Sequence, residues 1–204
     1  MKAIQYIKPF ITTFLLLALV AAMGVVGASY ASRKSRDIAE QTLPSLSHLA
    51  LGNQYRGQAF LYLIRALNAT TNGEFERQKA DIDKFSNRSH DELELYEDTI
   101  ASADNRALYM DVMAERESYL NLRDEILALA KTGNREQANQ LLAGRLLPIY
   151  ERYLDRGQRL VDYASKKGVE RADAIRLISL WSQIFAIISS ILIFVFGFFL
   201  GFTR

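Results

Sequence analysis

The chain has 204 residues, and its 25 lysines and arginines nearly balance its 23 aspartates and glutamates, giving a formal net charge of +2. This balance excludes the strong basic excess typical of nucleic-acid-binding proteins, so we expect no nucleic-acid partner. The chain has no cysteine and only two histidines, His48 and His90. These counts exclude disulfides and thiolate metal sites, and we expect no metal centre and no cofactor.

The first predicted element is a transmembrane helix over residues 10–31, preceded by a short basic tail, 1–9. At a rise of about 1.5 Å per residue, this apolar segment is long enough to cross a hydrocarbon core of about 30 Å. A cleaved signal peptide is the alternative. Its apolar region is only about 7–15 residues long, so we predict a retained anchor.

The middle region, 32–177, is predicted to be an all-α, antiparallel four-helix bundle. Turn-forming residues divide it at Thr71-Asn72-Gly73, at Ser102-Ala103-Asp104-Asn105 and at Thr132-Gly133-Asn134. In these turns Asp104 is the expected N-cap, and Gly133 is the expected left-handed residue that ends a helix. The loops are short, which makes successive helices antiparallel neighbours. The predicted helices cover about 33–70, 74–101, 105–131 and 135–178.

A heptad stripe in the first bundle helix predicts a packing seam, either within the bundle or between two subunits. The last bundle helix carries two adjacent stripes, so one can face the core and the other a second subunit. We therefore expect a homodimer. The polar seam residue Asn53 would then fix the register, with a core amide as the equal alternative. The central seam residues are Asn53, Gly57, Phe60 and Ile64.

A second transmembrane helix is predicted over 178–202, followed by a short end, 203–204. Tyr30 and Trp181 lie at the inner ends of the two apolar segments, so both rings fit the same membrane face. The prediction is a two-pass protein of the inner (cytoplasmic) membrane, with both termini cytoplasmic and the bundle in the periplasm or outside the cell. Positive charge next to both spans opposes this orientation, but long domains translocate largely regardless of charge.

Two local segments add a family resemblance. Thr42-Leu43-Pro44-Ser45-Leu46 follows the first span, and Leu146-Leu147-Pro148-Ile149-Tyr150-Glu151 opens the membrane-bound half of the last bundle helix. With this layout the chain resembles the four-helix-bundle sensor region of bacterial methyl-accepting chemotaxis proteins. Those receptors continue into a HAMP linker and a cytoplasmic coiled coil, which we do not find here. The resemblance therefore implies a sensory module that is either a truncated receptor or works through another membrane protein, such as a partner receptor or kinase.

Three arginines fall at similar heights on the first and last bundle helices, namely Arg56, Arg152 and Arg156, with Tyr55 and Tyr153 beside them. A guanidinium suits bidentate binding of a carboxylate, so this group is the predicted site for a small anionic ligand. The alternative is that Glu151, Asp155 or acidic residues on the second and third bundle helices pair with these arginines. The arginine spacing of the family's amino-acid receptors is not reproduced, so their specificity is not carried over.

The predicted function is that of a chemoreceptor-like transmembrane sensory module. It would bind a ligand or partner outside the membrane and pass a helix shift across it. The alternative is a non-sensing assembly or scaffold protein that pairs with another receptor through its bundle. An enzyme is not expected, because there is no glycine-rich phosphate loop, nucleophile elbow or pair of metal ligands at helical spacing.

Overall fold

A computed structural model describes the backbone of residues 2–202 and the side chains of residues 14–195 apart from 16, 17 and 193. Over this range every regular element is a helix, which confirms the predicted all-α class. The chain divides into two compact units. One consists of Met1–Ala39 and Gly168–Arg204, and the other is Glu40–Lys167. The predicted end at 203–204 lies outside the described residues.

Six α-helices follow one another along the chain, with a π-helical turn at Ile38–Thr42 and another at Leu142–Leu146. Helices α2, α3, α4 and the first part of α6 form the predicted antiparallel four-helix bundle. The predicted last bundle helix differs, because it is divided into α5, the second π turn and α6. The six helices are α1 (Lys2–Asp37), α2 (Leu43–Leu67), α3 (Asn72–Glu97), α4 (Ala103–Lys131), α5 (Arg135–Leu141) and α6 (Leu147–Phe202).

Both π turns come immediately before a Leu-Pro pair, with the prolines at Pro44 and Pro148. A proline inside a helix lacks the N–H that would bond four residues back, and its ring clashes with the carbonyl at that position. Here those carbonyls belong to Glu40 and Gly144, and both lie inside the π turns. We infer that the wider turn accommodates the proline while the helix continues.

The turns between the bundle helices lie where the turn-forming residues predicted them, with one correction. Ser102, and not Asp104, is the N-cap of α4, because the Ser102 hydroxyl accepts a bond of 3.2 Å from the Asn105 N–H. Asp104 lies in the first turn instead, where a carboxylate is favoured by the helix dipole. Gly133 has φ +86°, which confirms the predicted left-handed position at the end of α4.

The bundle helices pack in a ring, α2 on α3, α3 on α4, α4 on α6 and α6 on α2. The Ser89 hydroxyl of α3 donates to the Gly52 carbonyl of α2 at 2.9 Å. On the opposite side, the Phe60 and Tyr150 rings stack with their centroids 4.0 Å apart. The largest fully buried side chains fill the space between the four helices: Tyr96, Leu63, Ile82, Leu93, Ile126, Leu146, Leu160 and Val112.

Each residue of the buried stripe of α2 lies one position N-terminal to a residue of the predicted seam. At the seam positions, Asn53, Phe60 and Ile64 are half-buried, and Gly57 is exposed with open space beside it. The seam therefore borders the core and reaches the surface, and its role between two subunits stays a prediction. The buried stripe consists of Ser45, Leu49, Gly52, Arg56, Ala59, Leu63 and Ala66.

The second unit contains α1 and the C-terminal part of α6. A Cβ added at Gly27 would lie 3.0 Å from the Ser182 Oγ, so the two helices approach closely there. Among the described residues, one helical stretch, Arg135–Leu192, is long and apolar enough to cross a membrane, judged by length and composition. The first predicted span, 10–31, includes residues whose side chains are not described. It stays a prediction, as does the two-pass arrangement.

Candidate functional site

The most unusual side chain of the bundle is Arg56, which points from α2 into the core and is only 4% exposed. Its Nη1 donates to the Tyr153 carbonyl at 2.8 Å, and its Nη2 donates to the Asn53 Oδ1 at 2.6 Å. The guanidinium carbon lies 3.8 Å from the centroid of the Tyr153 ring. Arg56 therefore joins α2 to α6 through one hydrogen bond and one cation–π contact.

The charge of Arg56 has no acidic partner, since no carboxylate of the described residues forms an ion pair with it. Burial lowers the pKa of the Arg56 guanidinium, and the surrounding tyrosines oppose that shift. An arginine nevertheless stays protonated in proteins. The bundle centre thus holds a buried positive charge, and leaving such a charge uncompensated costs several kcal/mol.

Gly157 on α6 makes room for this guanidinium. A Cβ added there would lie 2.8 Å from Arg56 Nη1 and 3.0 Å from Nη2. Since heavy atoms do not approach that closely without a hydrogen bond, a side chain at this position would displace Arg56. The structure thus gives a reason for the glycine at this position.

A small cavity of about 10 Å³ borders the guanidinium. Two buried polar atoms of its lining residues, the Arg56 Nε and the Tyr119 hydroxyl, have no hydrogen-bond partner among the described residues. Burial also raises the pKa of Tyr119, so this hydroxyl stays neutral and able to donate at physiological pH. The lining residues are Arg56, Ala59, Ser86, Ser89, Arg116, Tyr119, Leu120 and Tyr153.

A second buried arginine, Arg123, lies beside this cavity and is 7% exposed. It donates to the Ser86 hydroxyl at 2.8 Å and forms an ion pair of 2.7 Å with Asp124. Arg123 therefore has the carboxylate that Arg56 lacks. Because the Ser86 oxygen already accepts from Arg123, its own hydrogen is available for another acceptor.

Of the predicted ligand residues, the structure brings Arg56 and Tyr153 together and separates the other three. Arg152 is paired with Glu115 at 3.2 Å, and Arg156 with Asp111 at 3.3 Å, both acids belonging to α4. This is the acid-pairing alternative that the sequence left open. Tyr55 turns toward α3, where its ring lies 6.2 Å from that of Phe85 and 5.6 Å from the guanidinium of Arg88.

Sequence reasoning did not include Ser86, Tyr119 or Arg123 in the site. Tyr119 lies at helical spacing with Val112 and Leu122, and such a pattern indicates a core residue and not a ligand group. Nothing in the sequence indicated that Arg123 is buried, because an arginine followed by an acidic residue in a helix is typical of an ion pair on the surface. Among the described residues, no group of three or more potential metal ligands is close enough to hold an ion.

The fold and this polar core together define an all-helical bundle domain that continues into an apolar helix. Residues 7–176 match the family described as a four helix bundle sensory module for signal transduction. Since the match covers most of the chain, the protein belongs to that family, and the resemblance to the chemoreceptor sensor region is confirmed. The chain is thus a sensory signalling module. A comparison with curated proteins finds no match.

Proposed function

We propose that the protein is a chemoreceptor-like transmembrane sensor whose bundle lies outside the cytoplasm and responds to a small anionic ligand or a partner. The observation that carries this proposal is the contact of Arg56 with Tyr153, which ties α2 to α6 around an uncompensated charge. Any anion that reaches this charge changes the balance of forces between the two helices. Arg56 and Tyr153 are the residues that we assign to the ligand response.

The signal we infer is a displacement of α6 relative to α2. Shifts of about 1–2 Å are typical of bistable helix interfaces, and such a shift would break a hydrogen bond that is 2.8 Å long. Helix α6 extends from Leu147 to Phe202, so it carries both the Tyr153 contact and the apolar segment. We propose that an axial movement at Tyr153 is passed along this helix to its apolar segment.

The proposed location is the inner (cytoplasmic) membrane, with two spans and the bundle in the periplasm or outside the cell. The family membership supports a sensory module of a membrane receptor. Many large apolar side chains of the terminal unit are exposed, which fits a lipid environment better than water. They include Phe14, Val26, Leu177, Trp181, Ile187 and Phe194.

We propose further that the protein acts as a homodimer and hands its signal to a partner receptor or kinase. Three exposed leucines, Leu61 on α2 and Leu147 and Leu154 on α6, supply apolar surface on the helices that meet at Arg56. Gly57 also leaves open space on α2. A helix displacement produced by the bundle is a signal that a partner receptor or kinase could receive through contact with these helices.

The same exposed leucines favour the alternative, a non-sensing assembly or scaffold protein that pairs with another receptor through its bundle. The two functions differ in what they require of Arg56. A sensor loses its response when the Arg56 contact is removed, whereas a scaffold needs only an intact helix surface.

The test is a thermal-shift screen of the full chain in lipid nanodiscs against amino acids, organic acids and aromatic carboxylates. A ligand at about 100 times its dissociation constant stabilises the folded state by about 2.7 kcal/mol, which raises the Tm of a chain of this length by roughly 5–10 °C. We expect a selective shift that is lost in Arg56→Met and kept in Arg152→Met, the matched control from a surface pair. Absence of any shift in folded, dimeric protein would favour the scaffold.

A further inference from the structure

The centre of the bundle contains a positive charge, free hydrogen-bond donors and a space of defined size in one place. The space is about 10 Å³ and is bordered by Arg56, Arg116, Tyr119 and Ser86. No acidic residue is among the residues that line it. Every charged group at its wall is therefore cationic.

The hydrogen-bond donors at this cavity belong to side chains that pack inside the bundle. The Arg56 side chain is 96% buried, and its Nε is without a partner among the described residues, as is the Tyr119 hydroxyl. The Ser86 hydroxyl accepts from Arg123 at 2.8 Å and keeps its own hydrogen for another acceptor. Buried donors normally have partners, and each one left without costs about 1–3 kcal/mol.

Charge and size together select the chemistry of an occupant. A water molecule would satisfy the donors but would leave the guanidinium without a counter-charge. A carboxylate, phosphate or sulfate would supply the charge, but each has several heavy atoms and would fit beside Arg56 only if the helices moved apart, as in the proposed ligand response. A chloride ion supplies the charge, accepts several hydrogen bonds and is a single atom, smaller than these oxyanions.

We propose that a small monovalent inorganic anion of the halide class binds in this cavity as the counter-ion of Arg56. It lies between the helices and receives hydrogen bonds from the Arg56 Nε and the Tyr119 hydroxyl. This goes beyond the proposed sensory function, because the counter-ion stabilises the bundle whether or not the bundle responds to another ligand. The folded protein is then more stable in chloride than in an anion too large to enter.

The test is thermal unfolding of the full chain in nanodiscs in sodium chloride, sodium bromide and sodium gluconate at equal ionic strength. We expect a saturable rise in Tm with chloride and bromide over gluconate. An anion concentration of about fifteen times the dissociation constant raises the Tm of a chain of this length by roughly 3–6 °C. Bromide bound in the cavity also gives an anomalous diffraction peak between Arg56 and Tyr119.

Two variants separate this site from general salt effects. Arg56→Met removes the charge and should abolish the difference between chloride and gluconate. Tyr119→Phe keeps the ring but loses one donor, so the chloride concentration needed for half of the effect should rise several-fold. If Arg56→Met does not fold, Tyr119→Phe alone tests whether chloride binds at this site. Arg156→Met, which removes a surface pair, should retain the full chloride effect.

Three results would overturn the proposal. One is an equal Tm of the unsubstituted protein in chloride and gluconate. Another is a chloride effect that is unchanged in each variant of Arg56 and Tyr119 that folds. The third is a bromide-soaked crystal without an anomalous peak at the cavity, which would assign the space to water.

Discussion

At the residue scale, the bundle is organised around one arginine whose position depends on a glycine opposite it. Arg56 reaches the Tyr153 carbonyl only because Gly157 has no side chain. A glycine inside a helix normally costs about 0.5–1 kcal/mol relative to alanine. The Arg56 contact is thus made at the expense of helix stability in α6.

Exchange of this glycine tests the arrangement. Gly157→Ala should destabilise the protein by about 1–3 kcal/mol, because the new Cβ displaces the guanidinium from its bonds. The matched control is Gly57→Ala, where an added Cβ meets nothing within 4 Å; it should gain up to about 1 kcal/mol. Denaturant unfolding of the full chain measures both. Equal effects of the two substitutions would show that Gly157 does not accommodate Arg56, as would a Gly157→Ala cost that persists in the Arg56→Met background.

A buried tyrosine predicts how stability depends on alkaline pH. The Tyr96 hydroxyl donates to the Asn105 Oδ1 at 2.6 Å, and burial raises the pKa of Tyr96 to about 12. The unfolded chain, with a pKa near 10, loses this proton first. The stabilisation is therefore complete below about pH 10 and is lost as the pH rises from about 10 to 12. Unfolding free energies of Tyr96→Phe should fall less steeply over this range. An identical slope would contradict the prediction.

At the level of single helices, short polar residues determine where α3 and α4 begin, and prolines follow the two π turns. Ser102 and Thr71 cap α4 and α3 through hydrogen bonds of 3.2 Å to backbone N–H groups. Pro44 and Pro148 each follow a π turn that continues a helix past a missing N–H. The chain can therefore continue a helix past a proline at two defined points.

The N-cap of α4 provides the test at this scale. Ser102→Ala should cost about 1 kcal/mol, because the Asn105 N–H loses its acceptor and the 2.8 Å contact with the Tyr163 hydroxyl is lost as well. Asp104→Ala should cost only a few tenths of a kcal/mol, since it removes a dipole interaction at an exposed position. Thermal or denaturant unfolding compares the two. A larger effect at Asp104 would restore the cap predicted from sequence.

At the scale of the whole molecule, the bundle unit and the apolar unit have opposite surface requirements. The bundle unit buries most of its large apolar side chains, whereas the terminal unit exposes many of them, with Trp181 and Phe194 64% and 76% exposed. A chain with both kinds of surface is stable when one unit is in water and the other in lipid. The family membership adds that this combination serves signalling.

The topology has a direct test, because the chain has no cysteine of its own. Gly73 is exposed, and an added side chain meets nothing within 4 Å. We expect Gly73→Cys to react with a membrane-impermeant maleimide in intact cells, because the proposed topology places the bundle outside. Lys2→Cys, in the predicted cytoplasmic tail, should react only after the cells are opened. The reverse pattern would place the bundle in the cytoplasm.

The sequence by itself determined the features that depend on local chemistry. Apolar runs, turn residues and helical periodicity predicted the all-α bundle, the positions of its three loops and the left-handed Gly133. Each of these follows from the preferences of a few neighbouring residues. The same local reasoning placed the cap at Asp104 instead of Ser102, since both residue types cap helices and only the backbone geometry shows which one does so.

The direction in which each side chain faces between helices depends on the packing of the whole bundle. Neighbouring positions on a helix differ by about 100° in direction, so the buried stripe of α2, one residue N-terminal to the predicted seam, contains Gly52 and Arg56 in place of Asn53 and Gly57. For the same reason Arg152 and Arg156 turned to the acids of α4 while Arg56 entered the core. The cavity at Tyr119 depends on four helices meeting at one level, and that is a property of packing and not of any one segment.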